Sequence, residues 1–195
     1  MTQYKQTPSQ TVGPYFAYGL VPEQYNFDLK SLFTASATDR EVPGEHIAIV
    51  GNVYDANEAS PLATRWSKSP RLMPTAATCR AWKRRASRAF AAARMGTDPK
   101  LRYVVYTVKP GATADDSTPH LDVILLMRGM LLHKLHARIY FDDEEATNAK
   151  DTVLQSVPAE RRHTLIAKRE MGSNGTIYRF DMHLRGPNET VFFDL

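Results

Sequence analysis

Cysteine is nearly absent: Cys79 stands alone in 195 residues. That excludes an internal disulfide framework and any metal site built from several thiolates. Long apolar runs are missing too, and no stretch approaches the length that crosses a bilayer. The opening MTQYKQTPSQ lacks the basic-then-apolar layout of a secretory leader, so the expected location is the cytoplasm. The zinc helix motif His-Glu-x-x-His does not occur. Neither an internal repeat nor a Ser/Gly linker divides the chain. Acidic residues are absent from one whole segment, Pro61 to Arg94, which carries nine bases. Without those nine the chain has 25 − 9 = 16 basic residues against 21 acidic ones, a net of −5. The overall +4 therefore reflects one stretch.

What is present is ordinary for a soluble globular domain, with 43% apolar and 24% charged residues. The length suits one domain with a proper core and is short for two. HIAIVGNVYD (46–55), LRYVVYTVKPG (101–111), HLDVILLMRG (120–129), HKLHARIYFDD (133–143), TIYRFDMHLRG (176–186) and TVFFDL (190–195) read as short strands. They are rich in Val, Ile, Tyr and Phe and are punctuated by Pro, Gly, Asn and Asp, the pattern of an all-β sandwich or barrel. One short helix is expected over EEATNAKDTVLQSV (144–157). Residues 1–42 form an extended N-terminal arm. In TPSQTVGPYF, Pro8 and Pro14 fix φ and keep their predecessors extended, while Gly13 leaves room for a close approach to the backbone.

His120 and Asp122, in PHLDVILLMRG, would point to one side of a strand. A histidine with a carboxylate suits non-haem iron, but these are two ligands where a facial triad needs three. His120 then reads as a hydrogen-bonded structural residue. His133 and His136 would lie on opposite strand faces, and His46, His163 and His183 are isolated.

Taken jointly, TPSQTVGPYF (7–16), PGEHIAIVGNVYDAN (43–57), RMGTDPKLRYVVYTVKPG (94–111), RGMLLHKLHARIYFDDEEATNAK (128–150), TLIAKRE (164–170), YRFDMHLRG (178–186) and ETVFFDL (189–195) resemble the intradiol ring-cleaving dioxygenases. The match is to the α-type chain of the heteromeric branch of that family. The resemblance implies a β-sandwich that works with an iron-bearing β chain, whose ferric ion sits on two tyrosines and a His-x-His pair. It implies the cleavage of 3,4-dihydroxybenzoate by O₂ to 3-carboxy-cis,cis-muconate, in the β-ketoadipate route of aromatic degradation.

Against that pattern this chain departs at two ligands. Its slot for the His-x-His pair reads His120-Leu121-Asp122. The tyrosine expected after Lys109-Pro110-Gly111 is replaced by Ala112-Thr113-Ala114. No metal ligand and no catalytic residue is therefore assigned to this chain, and Fe(3+) is expected on the partner β chain. By resemblance, Arg128 faces the substrate at the boundary between the chains, where a planar guanidinium suits a ring carboxylate. Thr11, Gly13 and Pro14 match arm residues lining the same pocket.

Residues 61–94 fall outside the resemblance. The family has there a strand like Asp-Ala-Leu-Val-Glu-Ile-Trp-Gln-Ala-Asp and an acidic turn. Joining the third base of each codon to the first two of the next forces Glu at Trp82–Lys83 and Ala at Met73–Pro74, and permits Val at Trp66–Ser67. Free third bases then permit much of the family string. The segment is accordingly expected to be a frame-shifted reading between compensating shifts near 60 and 93. Taken as it stands, it would replace one core strand with a basic, Ala-rich insert.

Three other readings are weighed against this one. Nine bases with Trp66 and Trp82 could form a nucleic-acid-binding arm on a β protein, which steep salt dependence would reveal. An autonomous iron dioxygenase would be coloured when purified alone. A sandwich serving only as an interaction module would affect no ring cleavage.

Overall fold

The computed structural model describes residues 8, 10–13, 15–38, 41–55, 74–83, 86–93, 100–111, 118–127 and 135–193. Alternation of apolar and polar side chains builds the strands. In β5 (Tyr103–Val108), Tyr103, Val105 and Thr107 turn inward. In β6 (His120–Met127), Leu121, Val123 and Leu125 do the same, while His120, Asp122 and Ile124 take the other face. β1 (His46–Gly51) and β7 (His136–Phe141) follow this rule at first, then become buried on both faces toward their C-terminal ends.

The remaining strands are β2 (Val53–Tyr54), β3 (Pro74–Lys83), β4 (Ala86–Ala93), β8 (Ile166–Gly172), β9 (Gly175–Arg179) and β10 (Met182–His183). Hydrogen bonds join eight of them in the order β4-β3-β6-β7-β8-β9-β1-β5, and β10 pairs with β2 beside them. The sheet turns a corner at β7–β8, where among the described residues the strand pairing narrows to a parallel contact of two residue pairs, Tyr140↔Ile166 and Phe141↔Ala167. Folding at that corner lets Ile47, Ile49 and Val105 of one half share a core with Leu121, Val123, Leu125 and Ile139 of the other. The expected all-β sandwich is thus present. Each fully buried Leu or Ile contributes on the order of 1.5–3 kcal/mol.

Gly51 marks a close crossing. A Cβ there would fall on the Phe180 carbonyl, which accepts the Tyr103 hydroxyl proton. No larger residue fits without moving the backbone.

Three features differ from the sequence reading. The helix expected over 144–157 is two short ones, α2 (Glu145–Asn148) and α3 (Thr152–Ser156), preceded by a 3₁₀ turn at Asp142–Glu144. Its continuity is lost because the Asp151 carboxylate accepts the Leu154 N–H at 2.8 Å, starting α3 afresh. The arm is not extended throughout: α1 (Phe16–Leu20) and a 3₁₀ turn at Pro22–Tyr25 fold it back, with Val12, Ala17 and Val21 buried. Finally, 74–93 does not leave the sheet a strand short. β3 and β4 form an antiparallel hairpin, and β3 pairs with β6 from Arg80↔Asp122 to Pro74↔Met127. The main-chain groups of β6 offer a template that any extended segment can join, whatever its side chains. Residues 61–73 lie outside the described residues.

Candidate functional site

The face of β6 and β7 turned away from the main core gathers the polar residues. Antiparallel register sets His120 opposite Tyr140 and Asp122 opposite Arg138. His120 and Asp122 do share one side of their strand, as their spacing requires. The His120 Nδ1–H donates to the Thr118 carbonyl at 2.8 Å, which leaves Nε2 as the acceptor, 4.0 Å from Asp122 Oδ1. Asp122 Oδ1 accepts from Arg138 Nε at 3.2 Å. A permanently charged guanidinium therefore touches the carboxylate that replaces the second histidine.

Tyr140 is wholly buried, and its hydroxyl donates to Asp151 Oδ1 at 3.0 Å. Burial pushes its phenol well above the ordinary tyrosine range, so it stays protonated. Asp151 is itself buried and also accepts the Thr118 N–H at 3.3 Å. Thr118 in turn meets Thr147 and Asn148 through its hydroxyl. These bonds tie the start of β6 to α2 and α3.

A second network holds the turn after β5. Lys109 Nζ lies 2.9 Å from both Asp143 and Glu144, and the Tyr178 hydroxyl donates to Asp143 at 2.8 Å. Nζ also stands over the rings of Phe141 and Tyr178, 5.3 and 5.7 Å from their centroids. Burial alone would lower the Lys109 pKa, but its carboxylate partners outweigh it and the net shift is upward. Burial would likewise raise Asp143, yet the bonds from Lys109 and Tyr178 hold it below the usual range. Burial, reinforced by Asp143, pushes Tyr178 up to about 12.

Of the residues expected to line a substrate pocket, Thr11 and Gly13 are described and Arg128 and Pro14 lie outside the described residues. Thr11 and Gly13 are exposed and flank the buried Val12. Among the described residues, nothing comes within 4 Å of where a Gly13 Cβ would be. Sequence reasoning missed Arg138 and Tyr140. The alternation of HARIYF puts them on one face, but nothing local says that Asp122 and His120 lie opposite.

No family profile matches the chain. Among solved structures, the dioxygenase domain of a carbohydrate-binding fusion protein from Streptomyces sp. SirexAA-E superposes with a TM-score of 0.57 at 18% identity, covering 92% of this chain and 98% of that one. An intradiol ring-cleavage dioxygenase from Tetranychus urticae gives 0.56 at 11% identity, covering 85% and 94%. The fold is that of the intradiol ring-cleavage dioxygenases. Curated relatives narrow this. The protocatechuate 3,4-dioxygenase alpha chain of Burkholderia cepacia is 48% identical over the full length of both chains. That of Pseudomonas putida is 36% identical over 97% of this chain and 96% of its own. The chain belongs to the family of protocatechuate 3,4-dioxygenase alpha chains.

Intradiol dioxygenases are iron enzymes, and the residues described here do not fit ferric iron. The guanidinium of Arg138 already occupies Asp122 and would repel a trivalent cation. Tyr140, held protonated and donating its hydroxyl hydrogen bond to Asp151, offers no phenolate. Of His120, Asp122, Arg138 and Tyr140, only His120 Nε2 is a donor of the required kind. Among the described residues no group of three His, Cys, Asp or Glu side chains converges. Likewise, no helix among them is long and apolar enough to cross a membrane.

Proposed function

We propose that this chain is the metal-free subunit of a protocatechuate 3,4-dioxygenase. It assembles with an iron-bearing protocatechuate 3,4-dioxygenase beta chain, and together they cleave 3,4-dihydroxybenzoate with O₂ to 3-carboxy-cis,cis-muconate, a step of the β-ketoadipate pathway. The observation that carries this is the 48% match, end to end, to a relative with that name. The Asp122–Arg138 contact supports placing the iron on the beta chain. The metal then supplies the redox chemistry, and this chain supplies shape, orientation and charge.

In this reading Arg128 presents its guanidinium fork to the ring carboxylate of the substrate. Thr11, Gly13 and Pro14 wall the partner's pocket. Open space around Gly13 among the described residues leaves room for a close neighbour there. The arm closes over the reacting ring and keeps water away, while Arg128 fixes which way the ring faces.

The test is co-expression with the beta chain, followed by a ring-cleavage assay on the purified assembly. Wild-type pairs should consume protocatechuate and O₂ in equal amounts. Arg128→Ala should raise KM for protocatechuate roughly tenfold to a hundredfold, the worth of one charged hydrogen bond. Unchanged KM and turnover would remove Arg128 from the pocket. Failure of the two chains to co-purify would remove the assembly itself.

A further inference from the structure

At the far end of the β8–β9 ladder the register sets two cations face to face. Lys168 lies directly opposite Arg179. Like charges at opposed positions destabilise a sheet, and Glu170 offsets the pair only on the Arg179 side. Arg179 gives its Nε to Glu170 at 3.0 Å, which leaves the terminal nitrogens of the fork for another acceptor. Lys168 is exposed and has no carboxylate partner among the described residues. Both side chains line a cleft of about 280 Å³. Ile166, only partly buried, gives it an apolar side, and His163 also lines it. Its one acid, Asp181, uses Oδ1 to accept the Asn52 backbone N–H at 2.8 Å. The lining thus has two fixed positive charges against one negative, with Glu170 just outside it partly neutralising Arg179 and Lys168 left as the uncompensated cation. None of these residues belongs to the β6–β7 face or to the arm.

We propose that this cleft binds a small organic anion, a carboxylate carried on a compact apolar body. Lys168 and the free edge of Arg179 take the carboxylate, and the body rests against Ile166. The volume lies at the small end of ligand sites, which suits one ring or a short chain and excludes a nucleotide or a peptide. Charge pairing fixes one end of the ligand, and apolar contact selects it over an inorganic anion.

Isothermal titration of the full chain, co-assembled with its beta partner, with benzoate as the probe tests this directly. Because benzoate would also enter a pocket built for protocatechuate, the titration is run in the Arg128→Ala background as well. Saturable binding should persist in that background. It should weaken roughly tenfold or more with Lys168→Met and largely return with Lys168→Arg. Lys150→Met, which removes an exposed charge elsewhere, should leave it unchanged. Sulfate should not saturate the site. The proposal fails if benzoate does not saturate in the Arg128→Ala background. It fails equally if Lys168→Met binds like wild type, if Lys150→Met weakens binding as much as Lys168→Met does, or if sulfate binds as well as benzoate.

Discussion

Arg138 Nε lies 3.2 Å from Asp122 Oδ1, on directly opposed positions of β6 and β7. The contact puts a fixed positive charge where the iron-bearing members of this fold need a second imidazole and a metal. A carboxylate already paired with arginine is a poor ligand for a trivalent cation.

Purified alone and incubated with ferric salt, the wild-type chain should therefore remain colourless and free of stoichiometric iron. Asp122→His restores the His-x-His pattern but not the tyrosine missing after Lys109-Pro110-Gly111, so it too should show no tyrosinate-to-iron absorption. A visible band with iron bound in a one-to-one ratio would overturn the assignment of the metal to the partner.

Asp151 accepts from Tyr140, Leu154 and Thr118 in one buried position. Asp151→Ala should cost about 2–4 kcal/mol, combining a lost helix cap with a buried hydroxyl left unsatisfied. Urea denaturation reads it as a lower midpoint at constant slope. Tyr140→Phe added to Asp151→Ala should cost less than Tyr140→Phe alone, because its hydroxyl has already lost its acceptor.

The Lys109 network should make stability depend on pH at both extremes. Asp143 titrates below its ordinary 3.8 when folded, so its contribution is complete above that value and is lost as pH falls through the lowered folded one. Lys109 titrates above its ordinary 10.5, so its contribution is complete below that value and is lost as pH rises through the raised folded one. The stability gap between wild type and Lys109→Met should accordingly be flat from about pH 4 to pH 10 and narrow on either side. Thermal melts of the two proteins across that range measure it; a gap independent of pH at both ends would show that Lys109 acts through packing alone.

The nine bases between Pro61 and Arg94 make a last prediction simple to check. If the segment is a frame-shifted reading, peptides of the natural protein from this region will be acidic, with the strand pattern of the family. Mass spectrometry after proteolysis distinguishes that from the basic sequence given, and recovery of peptides such as LMPTAATCR would dismiss the frame shift.

Much of the fold was legible because β5 and β6 alternate cleanly, with one face meeting the core and the other not, and β1 and β7 do so over their first halves. β8 was not read as a strand, since most of its residues are exposed and its apolar signal is weak. The division of 144–157 into two helices was hidden for another reason. Asp151 caps α3 only because Tyr140 and Thr118, brought from other strands, hold its carboxylate in place.

By itself, the sequence determined the class of fold, the kinship, and the lack of a tyrosine after Lys109-Pro110-Gly111 and of a second histidine after His120. Those are properties of residue identity and of a two-residue period, and both are written locally. Only the tertiary structure decided that Arg138 would stand against Asp122, and Lys168 against Arg179. Strand register arises from pairing between distant segments, and a slip of one residue would have turned each of these side chains to the opposite face.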